Sequence, residues 1–121
     1  MQTILIVEDD TQTQGLYKEA LTQAGFETTV AGNIAQARTM VNEKPPDLVL
    51  LDIMMPGGEN GFDFLETLQK DPHFKTIPVI VLTNLDSEEK TAKEIGAKEY
   101  LIKTNVSINE IIAAVKRHLA S

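Results

Sequence analysis

The sequence predicts an α/β protein, a five-stranded parallel sheet with five helices divided over its two faces in a three-layer sandwich. Two observations carry that expectation. Along the chain, short β-branched apolar runs alternate without exception with longer segments of helical period. Three of the five runs are almost wholly apolar, as strands covered on both faces are, and right-handed crossovers between them place helices above and below the sheet. At 121 residues the chain has the size of one domain, so residues 1–121 are read as a single unit.

The first strand is read at 3–7, "TILIV", and the helix after it starts behind Asp10 or Thr11 as a cap. That helix sends Leu16, Ala20, Leu21 and Ala24 toward a core and stops at Gly25. The second strand, 26–30, alternates as an edge strand does, with Phe26, Thr28 and Val30 on one face. A helix behind Asn33 runs to Pro45 and Pro46, and the third strand occupies 47–51, "DLVLL". A helix after Gly61 carries Phe62, Leu65 and Leu68 on one side and ends near "KDPHF". The fourth strand, 78–83, leads to a helix with a capping box predicted between Asp86 and Glu89 and an end at Gly96. The fifth strand, 99–102, precedes a helix after Ser107 whose stripe, Ile108, Ile111, Ile112, Val115 and Leu119, has helical spacing. The first, third and fourth strands are expected at the centre of the sheet.

Composition closes several function classes. Without cysteine there is no disulfide, thiolate metal site or thiol nucleophile. No apolar run is long enough to span a bilayer, and the acids after "ILIV" are the reverse of a secretory signal, so a cytoplasmic protein without a membrane role is expected. The net charge of −7 is concentrated: residues 1–85 hold 5 basic and 12 acidic side chains, whereas residues 86–121 hold 6 of each. Such an excess of carboxylates repels a phosphate backbone, so direct nucleic-acid binding is not expected, and a divalent cation is the more natural partner.

In a parallel sheet every strand delivers its carboxyl end to one rim, where ligand chemistry belongs. There stand Glu8, Asp9 and Asp10 after the first strand, Asp52 after the third, Thr83 at the end of the fourth and Lys103 at the end of the fifth. Clustered carboxylates repel unless a cation sits among them, and oxygen ligands without Cys or His suit a hard ion, Mg²⁺ foremost. Such an ion leaves positions open for phosphate. Lys103 then offers a point charge and Thr83 a hydroxyl to phosphoryl oxygens, and Asp52 has no competing nucleophile beside it; carboxylates do act as phosphoryl acceptors.

Taken in order, "ILIVEDD", "LVLLDIMMPGGENG", "VIVLTN" and "GAKEYLIK" resemble the receiver (REC) domain of two-component response regulators, in the single-domain form of the chemotaxis response regulators, over essentially the whole chain. The resemblance implies a flavodoxin-like fold with strand order 2-1-3-4-5. It also implies an acidic metal pair at Glu8 and Asp9, a phosphoacceptor at Asp52 that becomes 4-aspartylphosphate, and a metal-ligating backbone carbonyl at Met54. Thr83 corresponds to the switch hydroxyl, Tyr100 to the switch aromatic, and Lys103 to the catalytic lysine. A sensor histidine kinase or a histidine phosphotransfer protein would donate the phosphoryl group with Mg²⁺ as cofactor. The chain would be a signalling module that catalyses only its own phosphorylation and dephosphorylation, not an enzyme acting on other substrates. Thr83 would move inward with Tyr100 behind it, changing the surface of helix four, strand five and helix five for an output protein, with a homodimer of the phosphorylated form left open.

Three departures from that family pattern stand out. The loop after Pro56 is a residue longer than usual, an insertion assigned to Gly57 and Gly58. The stretch between Thr83 and Lys103 is about two residues short, which should trim helix four or its flanking loops. Thr104 replaces a common proline, which leaves a cis Lys103–Thr104 bond open. Met54 and Asn84 occupy positions where the family tunes the lifetime of the phosphoryl group.

Three alternatives remain. One is the receiver of a longer transcription regulator cut from its DNA-binding part, which a sequence that ends just after the fifth helix leaves open. Another is an Mg²⁺-dependent phosphohydrolase with an aspartate nucleophile, which usually carries a second acid where Met54 stands. The third is a degenerate receiver that is never phosphorylated. Asp10 reads equally as a cap or a site acid, and neither His73 nor His118 is expected to be catalytic.

Overall fold

The computed structural model describes residues 1–55 and 60–119; the predicted insertion at Gly57 and Gly58 lies outside them. The elements follow in the order β1 (Thr3–Val7), α1 (Thr11–Gln23), β2 (Glu27–Ala31), α2 (Ile34–Glu43), β3 (Leu48–Leu51), α3 (Gly61–Lys70), β4 (Val79–Thr83), α4 (Glu89–Ile95), β5 (Glu99–Ile102) and α5 (Ile108–Leu119), with a 3-10 turn at Lys103–Asn105. All strand pairs are parallel, and the order across the sheet is β2-β1-β3-β4-β5. The three almost wholly apolar strands are thus the central ones, and the alternating β2 forms an edge.

The two-residue period of a strand divides the core into two layers. Leu5, Val7, Val49, Leu51, Val79 and Val81 point to one face, where Val41 of α2, Phe64, Leu65 and Leu68 of α3 and Ala92 of α4 cover them. Ile4, Ile6, Leu48, Leu50, Ile80 and Leu82 point to the other, against Tyr17 and Leu21 of α1 and Ile111, Ala114 and Val115 of α5.

Helix starts follow their caps. Asp10, Asn33 and Asn60 accept hydrogen bonds from the backbone N–H of Thr13, Gln36 and Asp63 at 2.9, 2.7 and 2.9 Å. Asp10 is therefore the cap of α1.

Two expectations are corrected and one open point is closed. Leu16 does not face the core; it is 54% exposed, because Tyr17 and Leu21 form the inward stripe of α1. The capping box predicted at Asp86 and Glu89 is absent: the residue before α4 is Glu88, with φ −118° and ψ 14° and no side-chain cap bond. A reciprocal box stands instead at α5, where Glu110 N–H donates to Ser107 Oγ at 3.1 Å and Ser107 N–H donates to Glu110 Oε1 at 2.9 Å. The Lys103–Thr104 bond is trans, since there are no cis peptide bonds among the described residues. With 7 residues, α4 is the shortest α-helix described.

Candidate functional site

Hydrogen bonds beyond the strand ends set the acidic residues in place. Glu8 N–H donates to Ala31 O and Asp52 N–H to Val7 O, each at 3.0 Å, so the sheet ladder continues one step into the rim. Apolar strands thereby hold two carboxylates in nearly dry surroundings: Glu8 is 2% and Asp52 6% exposed. Asp9, next along from Glu8, is exposed. One carboxylate oxygen from each of Glu8, Asp9 and Asp52 lies within 4.8 Å of the others.

Lys103 crosses from β5 to join them. Its Nζ donates to Asp52 Oδ2 at 2.6 Å and to Glu8 Oε1 in a closer contact. Asp52 Oδ1 accepts from the Met54 N–H at 3.0 Å, and Glu8 Oε2 from the Asp10 N–H at 3.1 Å. Both buried carboxylates are thus satisfied on each oxygen, as burial of charge requires.

The same packing shifts the ionisation of the site. Burial pushes the Glu8 carboxyl above its ordinary value, although the Lys103 hydrogen bond and the Asp10 N–H pull the other way. For Lys103, burial alone would lower the ammonium, but the bonds to Asp52 and Glu8 outweigh it and the net shift is upward. Tyr17, buried on α1, has its phenol raised by burial, with Lys103, Glu8 and Asp52 also acting on it.

Thr83 is fully buried at the end of β4, and its Oγ1 accepts from the Leu85 N–H at 3.3 Å. Tyr100 is 8% exposed, and its hydroxyl donates to the Leu85 carbonyl in a close contact. The Leu85 residue thus links the two proposed switch side chains. Its part could not be read from a loop leucine, whose contribution comes from its backbone alone. An open groove lined by Asp9, Met54, Met55, Phe62 and Leu85 borders the site. Among these, the Met54 side chain is exposed to solvent.

The rim therefore unites Glu8, Asp9, Asp52, Met54 and Lys103, with Thr83 and Tyr100 joined through Leu85 beside them. Asp10 serves α1. The two histidines stand apart, His118 Nε2 lying 2.9 Å from Glu99 Oε1 and the His73 backbone N–H donating to Asp71 Oδ1 at 2.8 Å. Oxygen donors gathered in this way fit a hard divalent ion, and the donor set contains no soft ligand.

A parallel sheet of this order gathers three acids and a lysine at its carboxyl rim, where open α/β sheets bind their ligands. The chain belongs to the response regulator receiver domain family, whose model matches residues 4–116. It is 36% identical over 117 residues to the phosphate regulon transcriptional regulatory protein PhoB of Pseudomonas aeruginosa, covering 95% of this chain and 50% of that protein. It is 38% identical over 120 residues to the DNA-binding response regulator MtrA of Mycolicibacterium paratuberculosis, covering 98% of this chain and 51% of that one. The chain spans about half the length of these curated relatives. Among solved structures, it superposes on a CheY-like response regulator receiver domain protein from Methanospirillum hungatei with a TM-score of 0.90 at 26% identity, covering 98% and 94% of the two chains. This chain is a receiver of two-component signal transduction, and its fold is the flavodoxin-like one that the motifs imply.

Proposed function

We propose that Asp52 is the phosphoacceptor of this receiver and that a phosphohistidine, on a sensor histidine kinase or a histidine phosphotransfer protein, is the donor. The observation that carries this reading is the placement of Asp52 at the end of a buried strand, with Lys103 on one carboxylate oxygen and Met54 N–H on the other. An Asp52 oxygen attacks phosphorus, the P–N bond to imidazole breaks, and the imidazole nitrogen leaves with the bonding pair. Lys103 gives up part of its hold on Asp52 to meet a phosphoryl oxygen, and the Thr83 hydroxyl takes another.

Glu8, Asp9, Asp52 and the Met54 carbonyl would hold Mg²⁺, which supplies charge neutralisation for the phosphoryl oxygens when bound. The chain catalyses only its own modification and its reversal, in the cytoplasm. Thr83 Oγ1 accepts from the Leu85 N–H and keeps its own O–H to donate to a phosphoryl oxygen, so an inward movement of Thr83 carries that acceptor with it and the Leu85 backbone is the link through which Tyr100 responds. Tyr100 is already turned inward here, so its response starts from a buried ring. The output surface is that of α4, β5 and α5, whose balanced charge suits a protein partner.

Incubation with Mg²⁺ and acetyl phosphate, followed by intact-mass measurement, tests the reading. A gain of one phosphoryl group that Asp52→Asn abolishes is expected; no gain, or a gain indifferent to that change, sinks it. A second reading, in which this receiver governs a DNA-binding part of a longer regulator, is favoured by the half-length match to PhoB and MtrA. The reading frame past residue 121 decides it: a continuing frame with a DNA-binding module supports it, and a stop codon ends it.

A further inference from the structure

We infer that Gly61 is a positioning residue for the acceptor: its missing side chain lets the first turn of α3 close onto the Asp52–Ile53 backbone and so fixes where the Asp52 carboxylate stands. A Cβ at this position would lie 2.7 Å from Ile53 Cα, 3.2 Å from Asp52 O and 3.3 Å from Ile53 O. All three are backbone atoms, which cannot swing aside as a side chain does. The need is steric, because the only positive-φ glycines among the described residues are Gly25 and Gly96. Gly61 differs in this from Gly15, which has nothing within 4 Å of its Cβ position, and from Gly96, where a Cβ would meet the movable Gln69 side chain.

Neither side of the contact is free to retreat. Phe64, Leu65 and Leu68 bury the inner face of α3, and Asn60 caps its start through the Asp63 N–H at 2.9 Å. On the other side β3 is locked between β1 and β4, but the strand ends at Leu51 and its last ladder-like bond is Asp52 N–H to Val7 O. An added methyl therefore displaces the chain at Ile53, between the Asp52 carboxylate and the Met54 N–H that holds it. The Gly61 N–H donates to Ile53 O at 3.2 Å, closing the contact into a clamp at the base of the loop.

The inference rests on the phosphoacceptor reading of Asp52, and the test separates the two. Wild type, Gly61→Ala, Gly15→Ala and the double variant Gly15→Ala/Gly61→Ala are compared for phosphorylation by acetyl phosphate with saturating Mg²⁺, well below each melting temperature. Backbone amide NMR spectra are recorded for the same set. Gly61→Ala is expected to slow phosphorylation about tenfold or more, since small misplacements of a reacting group weigh heavily on rate. It should also shift the Met54 amide resonance while leaving those of β2 in place; Gly15→Ala should do neither. A folded Gly61→Ala protein that keeps the wild-type rate and Met54 resonance overturns the inference, because a purely structural role would lower only the melting temperature. If Gly61→Ala unfolds, the double variant is measured in its place, and failure of that protein to fold also overturns the inference. If wild type itself takes no phosphoryl group, the acceptor reading fails, and the Met54 amide alone decides on the clamp.

Discussion

At Glu8 two demands meet in one side chain. Its carboxylate accepts from Lys103 beside Asp52, yet its surroundings are nearly dry, and burial holds its pKa above the ordinary 4.5. A carboxyl that keeps its proton better in the folded state stabilises that state below pH 4.5, and the contribution is lost as pH rises through the folded value. Glu99 runs the opposite way. Burial would raise it, but the bonds from Arg117 and His118 dominate and lower it, so its contribution is present above 4.5 and lost as pH falls through the folded value. Lys103, raised overall, holds its contribution until pH climbs past its folded value, above 10.5. In metal-free buffer, urea unfolding midpoints should therefore fall more steeply for wild type than for Glu8→Gln as pH rises above 4.5. Parallel curves would show that Glu8 ionises as freely folded as unfolded. The sequence marked Glu8 as a rim acid, but not its bond to Lys103, because those residues meet only after the whole sheet is assembled.

Elements of this fold differ in how firmly the sequence specifies them. The strands were legible because apolar runs bounded by turn residues leave little choice, and their ends moved by only a residue. The faces of α1 were not: Leu16 and Tyr17 are neighbours, and either could lead an inward stripe with a residue four positions on. Tyr17 and Leu21 prevail, filling the layer against α5. A three-residue spacing of acids likewise signals a capping box only where the first residue is in fact the cap, and the true start of α4 lies past Asp86. Two predictions belong here. Gly15 sits inside α1 with open space where a Cβ would go, so Gly15→Ala should raise stability by about 0.5–1 kcal/mol in urea or thermal unfolding. The short α4, without a side-chain cap bond at its N-terminus, should exchange its backbone amides faster than α1, α2, α3 or α5 in native-state hydrogen exchange. Protection equal to that of α5 would refute it.

The molecule as a whole carries a net charge of −7, and its three closest rim carboxylates are drawn together by the fold. A divalent ion bound among them is bound by the native state and not by the unfolded chain. Mg²⁺ at a hundred times its dissociation constant should therefore stabilise the protein by about 2.7 kcal/mol. The shift should be reduced in Asp52→Asn, and an equal shift there would place the ion elsewhere. Much of this site was legible because a parallel sheet sends every strand end to one rim; the links through backbone, at Leu85 and Gly61, were not, since residue type says little about where a peptide group lies. The two-layer core has one further consequence. The chain has no tryptophan and only 2 tyrosines, and both are buried close to the site. Tyr17 lies in the layer under α1 and α5, Tyr100 in the layer under α2, α3 and α4. Ultraviolet emission from the unlabelled protein thus views the rim from both sides of the sheet at once, and replacing either ring by phenylalanine leaves a reporter for one side alone.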